Sequence, residues 1–148
     1  VPFKVNISEL SRKSGLSRDV LLHLLTSLDR ANLIKGIRAK SAPTGHLTKP
    51  DKIYLNNTAL LFALNTNREL SIGTVRETFF MNQLVQNHTL HTVAKGDFLI
   101  NNKYTFEIGG KNKTKKQVAG IENAYLAVDD IEYGFKETIP LWLFGFLY

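Results

Sequence analysis

Cysteine is absent from the 148 residues of this chain. Disulfide staples and thiolate metal sites are thereby excluded, and the composition agrees with a cytoplasmic location, where thiols are kept reduced. Long apolar runs are missing too. No stretch approaches the ~20 residues that a membrane-spanning helix requires, and no signal peptide opens the chain, so no membrane partner is expected. Several chemistries lack their residues: there is no Ser-His-Asp set, no dinucleotide fingerprint and no histidine cluster at metal-ligand spacing. Gly109-Gly-Lys-Asn-Lys-Thr114 has the look of a phosphate loop, yet the Gly-x-x-x-x-Gly-Lys-[Ser/Thr] frame is not there. Internal repeats and low-complexity segments are absent as well.

What is present is an ordinary soluble composition, 43% apolar and 22% charged, at a length that allows one large or two small domains with a real core. Charge is distributed unevenly. Residues 1–70 hold 11 Lys and Arg against 5 Asp and Glu, whereas residues 71–148 hold 8 against 8, so the net charge of +6 belongs to the first half. A basic half suits a polyanion or an acidic partner, unless it is simply a solvated face. The chain opens on Val1 rather than methionine, which leads to the expectation that it is part of something longer.

In the first half, Asn6 to Gly15 predicts a short helix capped by Ser8 and stopped by Gly15. Ser17 then caps a second helix from Arg18 to about Asn32, with Asp19 at its positive end and Val20, Leu21, Leu24, Leu25 and Leu28 as its apolar stripe. Asn32–Ile37 and Lys52–Leu55 read as strands around a polar loop. Helix-turn-helix followed by a two-stranded ribbon predicts a winged helix-turn-helix. The outward face of the second helix would carry Asp19, Leu22, His23, Thr26 and Arg30, a poor set for reading base edges. The ribbon and its loop are better suited to a phosphate backbone, and His46 lies among their cations. Candidate nucleic-acid contacts are Arg18, His23, Arg30, Lys35, Arg38, Lys40, Lys49 and Lys52, with a protein-docking winged helix as the competing reading. Asn57–Leu64 reads as a short apolar helix, and the polar, turn-rich stretch 65–73 as a boundary.

The second half opens on Thr74-Val-Arg-Glu77, which fits a capping box at the start of a helix running to about Asn87. That helix is apolar nearly all round and should be buried on most sides. Thr89–Val93 reads as a strand. Asn101-Asn102-Lys103 then predicts a three-residue hairpin turn, pairing Ile100 with Tyr104, Leu99 with Thr105, Phe98 with Phe106 and Asp97 with Glu107. Two carboxylates on one patch of sheet repel unless a cation or a lysine sits between them. A basic turn of helix within 113–120, a buried strand at Asn123–Val128 and a closing segment, Pro140–Tyr148, docked on the core complete an α/β order.

Metal-dependent phosphodiester hydrolysis uses carboxylates to hold Mg²⁺ and a lysine to orient or activate the attacking water. An Asp on one strand, Glu-x-Lys on the next and a preceding helical Glu form the restriction-endonuclease-like pattern. Glu77, Asp97 and Glu107 stand in that order. Together with Ile7-Ser-Glu-Leu-Ser11, Ser17-Arg-Asp-Val20, Gly73-Thr-Val-Arg-Glu-Thr-Phe-Phe80, Phe106-Glu-Ile-Gly-Gly-Lys111 and Pro140-Leu-Trp-Leu-Phe144, they give a distinctive pattern. Over essentially its whole length the chain resembles the C-terminal region of a prokaryotic family of AAA-type ATPase-like proteins. The resemblance implies an α+β or α/β chain, with a winged helix-turn-helix over 1–68 and a small PD-(D/E)XK nuclease-like module of unknown function, with a mixed sheet, over 69–148. It implies an upstream ATPase domain in cis, with ATP bound only there, and DNA or another protein as a further partner. Glu77, Asp97, Glu107 and Lys111 become candidate catalytic residues, with Asp97 and Glu107 as candidate ligands for Mg²⁺ or Mn²⁺.

One departure decides the functional expectation. The active pattern places its lysine two residues after the glutamate, but position 109 is glycine and Lys111 lies two residues further on. That is roughly 6–7 Å along an extended strand, unless Gly109-Gly110 forms a bulge that returns it. The expectation is a non-catalytic regulatory or interaction region with a degenerate nuclease-like module. Its alternatives are a metal-dependent DNA nuclease using Asp97, Glu107 and Lys111, and a DNA-binding winged-helix protein. The choice turns on where Lys111 points.

Overall fold

A computed structural model of the chain describes residues 3–43, 45, 48–65 and 69–147. In chain order the elements are β1 (Phe3–Lys4), α1 (Ile7–Ser14), α2 (Arg18–Arg30), β2 (Ile34–Ala39), β3 (Lys52–Leu55), α3 (Thr58–Leu64), α4 (Ile72–Leu84), β4 (Leu90–Thr92), β5 (Phe98–Ile100), β6 (Tyr104–Gly109), β7 (Ala124–Val128) and β8 (Thr138–Pro140). Two 3-10 turns, Lys115–Val118 and Leu141–Phe146, flank the last two strands. The architecture is mixed α+β. Among the described residues, eight strands join one sheet in the order β1-β3-β2-β4-β5-β6-β7-β8. β1, β3 and β2 are antiparallel, β2 meets β4 in parallel through Arg38–His91 and Ala39–Thr92, and β6, β7 and β8 run parallel.

Local signals explain where the first helices start and stop. Asn6, not Ser8, caps α1, its side-chain oxygen accepting from the Glu9 N–H at 3.1 Å. Gly15 ends the helix with φ 72°, a left-handed conformation that glycine adopts without strain. Ser17 caps α2 through the Val20 N–H. The buried face of α2 departs from the expected stripe: Leu21 and Leu22 are buried with Leu25 partly so, against Val5, Ile7, Leu10 and Ile53. Val20 and Leu24 are 49% and 44% exposed. Apolar residues cover so much of this helix that more than one stripe satisfies helical spacing, and contact with α1 and β3 selects between them.

α4 organises the larger core. It starts at Ile72, ahead of the expected Thr74, and its N-cap residue Ser71 makes no side-chain cap bond. Phe80 and Met81 are fully buried, and the Phe80 ring lies 4.6–5.6 Å from the rings of Phe98, Phe106 and Phe144. Ile37 and Tyr54 belong to the same cluster. The stretch 65–73, read as a boundary, therefore joins parts that share one sheet and one core; position 68 itself lies outside the described residues. On the other sheet face Val118, Ala124, Leu126 and Val128 form a smaller cluster beside the first 3-10 turn. The closing segment docks through Leu141 and Phe144, with Tyr148 outside the described residues. No helix among the described residues is long and apolar enough to cross a membrane.

Candidate functional site

The hairpin positions the two acids. Asn101 and Asn102 take φ 51° and 59°, so the turn closes as its asparagines require, and Phe98–Phe106, Leu99–Thr105 and Ile100–Tyr104 pair in the expected register. Asp97 and Glu107 do not form the next rung. Asp97 donates its N–H to the Phe106 carbonyl at 2.8 Å and accepts the Ile108 N–H on its carboxylate, also at 2.8 Å. The aspartate thus caps the edge of β6 just where β5 gives out. Strand alternation sends Phe106 and Ile108 into the α4 core and Glu107 to the opposite face, where it is only 3% exposed. Glu77 reaches out from α4 instead of closing a capping box: Tyr54 donates its hydroxyl to Oε2 at 3.1 Å, and Lys52 Nζ stands 3.8 Å away.

Lys111 points away from the acids. Its Nζ lies 3.6 Å from Asp130, and both side chains are well exposed. The lysine that meets Glu107 is Lys113, whose ammonium also donates to Gln117 Oε1 at 2.9 Å. A turn returns the chain, the Lys113 N–H donating to the Gly110 carbonyl at 2.8 Å. The two glycines then become legible. A Cβ on Gly109 would stand 2.5–2.7 Å from the Lys113 Cβ, Cγ and Cδ, so the stem of Lys113 fills the space of a residue-109 side chain. A Cβ on Gly110 would sit 3.0 Å from the Arg76 guanidinium, which Asp129 holds at 2.9 Å. Sequence spacing missed Lys113 because β6 ends at Gly109 and the turn lies beyond it. The only signal was glycine where lysine is expected, with several lysines close behind. Nothing local in the sequence marks Tyr54 or Lys52 as neighbours of Glu77.

Electrostatically the cluster is nearly balanced. Burial raises the Glu77 carboxyl above its ordinary value and Asp97 adds to the rise, while Lys52 and the Tyr54 hydroxyl pull it back. Burial likewise raises Glu107, opposed by the Lys113 hydrogen bond and reinforced by Asp97. The Tyr54 hydroxyl is pushed far above its usual range by burial and then by Glu77, so it stays a donor. The two glutamates thus ionise reluctantly, and each faces a lysine, Lys52 for Glu77 and Lys113 for Glu107. Among the described residues no three His, Asp or Glu side chains converge closely enough to share an ion. Asp97 and Glu107 are hard oxygen donors of the kind Mg²⁺ and Mn²⁺ take, and one or two carboxylates with water suffice for Mg²⁺. Here each already has a partner, Ile108 N–H for one and Lys113 for the other. Four cavities of about 250–400 Å³ are lined by other residues than Glu77, Asp97 and Glu107.

The nucleic-acid candidates divide by placement. Arg18, His23, Arg30, Lys40 and Lys49 are exposed. Lys35 pairs with Asp29 at 3.1 Å, Arg38 donates to the Thr48 carbonyl at 2.7 Å, and Lys52 turns inward to Glu77. His46 lies outside the described residues. Comparison with family models, curated proteins and solved structures finds no match.

Proposed function

We propose that the chain is a non-catalytic regulatory or interaction region, C-terminal in an AAA-type ATPase-like protein, built from a winged helix and a restriction-endonuclease-like module whose acid site is closed. The observation that carries this reading is the pairing of every acid in the cluster: Glu107 with Lys113, Glu77 with Tyr54 and Lys52, Asp97 with the Ile108 N–H. A polar network paired in this way rigidifies the end of the sheet, and a cation would have to compete with Lys113 for Glu107 and with the Ile108 N–H for Asp97. The outward face of α2 supports a protein partner over a duplex, since it presents Val20 and Leu24 where base-reading helices carry Arg, Lys, Asn or Gln. The test is nicking of supercoiled plasmid in Mg²⁺ or Mn²⁺. The chain is expected to cleave no faster than Asp97→Ala or Glu107→Ala; cleavage that both substitutions abolish would overturn the reading.

One observation favours a second reading, a metal-dependent nuclease. The Lys113 stem occupies the volume of a residue-109 side chain and brings an ammonium to Glu107, so a lysine is restored from a different position. Asp97 and Glu107 would hold the cation, which would polarise the phosphodiester, and Lys113 would orient the attacking water. In that case Lys113→Ala abolishes cleavage and Lys111→Ala leaves it intact.

A further inference from the structure

We infer that the cleft between α2 and the β2–β3 ribbon binds a small organic anion, an apolar body bearing a carboxylate or a phosphate. The cleft holds about 400 Å³, inside the roughly 300–1,000 Å³ of small-molecule pockets. Strand alternation builds one wall. Ile37 faces the larger core, so Ile34, Gly36 and Arg38 share the other face of β2, toward α2. Gly36 keeps the floor low, since even a Cβ there would stand 3.0 Å from the Pro50 Cβ. Leu22 and Leu25 of α2, with Pro50, complete the apolar part of the lining.

Charge decides the ligand class. Asp29 is the one acid among the described lining residues, and its carboxylate is committed: Oδ1 accepts from the Lys35 ammonium at 3.1 Å and Oδ2 from the Gly36 N–H at 3.2 Å. Against it stand Arg30, Lys35 and Arg38, so two cations are in excess. Neither arginine meets a carboxylate among the described residues. Arg38 gives Nε and Nη2 to the Thr48 carbonyl, a neutral acceptor, at 3.3 and 2.7 Å, and the rest of its donor fork matches a planar oxyanion. A second cation-lined cavity, at the Gly110–Lys113 turn, differs in this respect: Asp129 holds Arg76, Asp130 faces Lys111 and Glu107 takes Lys113. A nucleic-acid backbone phosphate, hydrated on all sides, gains nothing from Leu22, Leu25 and Pro50, whereas an aromatic or aliphatic acid buries its body on them.

The inference goes beyond the closed acid site and does not depend on it. Fluorescence titration of the intact chain with anilinonaphthalene sulfonate, an aromatic body carrying an anionic group, tests it. Saturable binding is expected, with Arg30→Gln and Arg38→Gln each weakening it roughly tenfold and Lys111→Gln leaving it unchanged. Arg30 is exposed, so its substitution keeps the wild-type urea midpoint whatever Arg38→Gln does to the loop at Thr48. Displacement by benzoate or by phenyl phosphate supports the site, and the better displacer tells a carboxylate ligand from a phosphate. Binding that keeps its affinity in both arginine variants, that neither acid displaces, that Phe62→Glu abolishes instead, or that a short DNA duplex displaces would overturn the inference. Each of these outcomes leaves the closed acid site standing, whereas Asp97-dependent cleavage would remove that reading and not this one.

Discussion

Glu107 and Lys113 show how one side chain can be restored from the wrong position in the sequence. A carboxylate only 3% exposed is tolerable because an ammonium meets it, and the ammonium arrives only because residue 109 has no side chain to obstruct the lysine stem. Lys113→Met should therefore destabilise the fold at neutral pH by on the order of 3 kcal/mol, read by urea unfolding. Lys111→Met removes only an exposed pair with Asp130 and should change stability by less than about 0.5 kcal/mol. Equal effects from the two substitutions would contradict the assignment. Gly109→Ala should resemble Lys113→Met, because its Cβ collides with the lysine stem. The acids themselves were legible from strand spacing, as was the pairing of Phe98 with Phe106. The lysine was not, because its position depends on a turn at 110–113 that puts residues four and six apart in the same space.

At the scale of elements, the recurring lesson is competition between local and distant partners. Thr74-Val-Arg-Glu77 is a sound capping box on paper, yet α4 begins at Ile72 and Glu77 bonds Tyr54 on β3, 23 residues away in sequence. The hairpin turn, the Gly15 stop and the Ser17 cap were readable because nothing distant competes with them. The face of α2 was not, since its apolar residues fit more than one stripe. Glu77 ties α4 to β3, and this has a pH signature. Burial places the Glu77 and Glu107 carboxyls above their ordinary value of 4.5, so between that value and the raised ones the folded chain binds more protons than the unfolded chain. Their contribution to stability is full below pH 4.5 and is lost as pH rises through the raised values. Glu77→Gln keeps an acceptor for Tyr54 and removes one titration. The stability of this variant should fall less steeply than wild type as pH rises above 4.5; an unchanged or steeper slope would contradict the burial of Glu77.

For the molecule as a whole, one sheet runs from β1 to β8, and its larger core takes Ile37 of β2 and Tyr54 of β3 together with α4 and the later strands, so the basic first half and the acid-bearing second half are mechanically continuous through β2 and β4. Composition located the charge asymmetry, and periodicity located most elements. The parallel join of β2 to β4 could not be read, because it pairs two residues on each strand more than 50 positions apart. Such continuity should make the chain unfold in a single cooperative transition, and the midpoint of that transition gives a direct reading of the acid cluster. A divalent cation at 100 times its dissociation constant adds about 2.7 kcal/mol to the folded state, which in a chain of this size raises the midpoint by roughly 5–10 °C. With Lys113 on Glu107 and the Ile108 N–H on Asp97, millimolar Mn²⁺ should leave the wild-type midpoint where it is. A Mn²⁺-dependent rise of several degrees that disappears in both Asp97→Ala and Glu107→Ala would show that the site is open to metal.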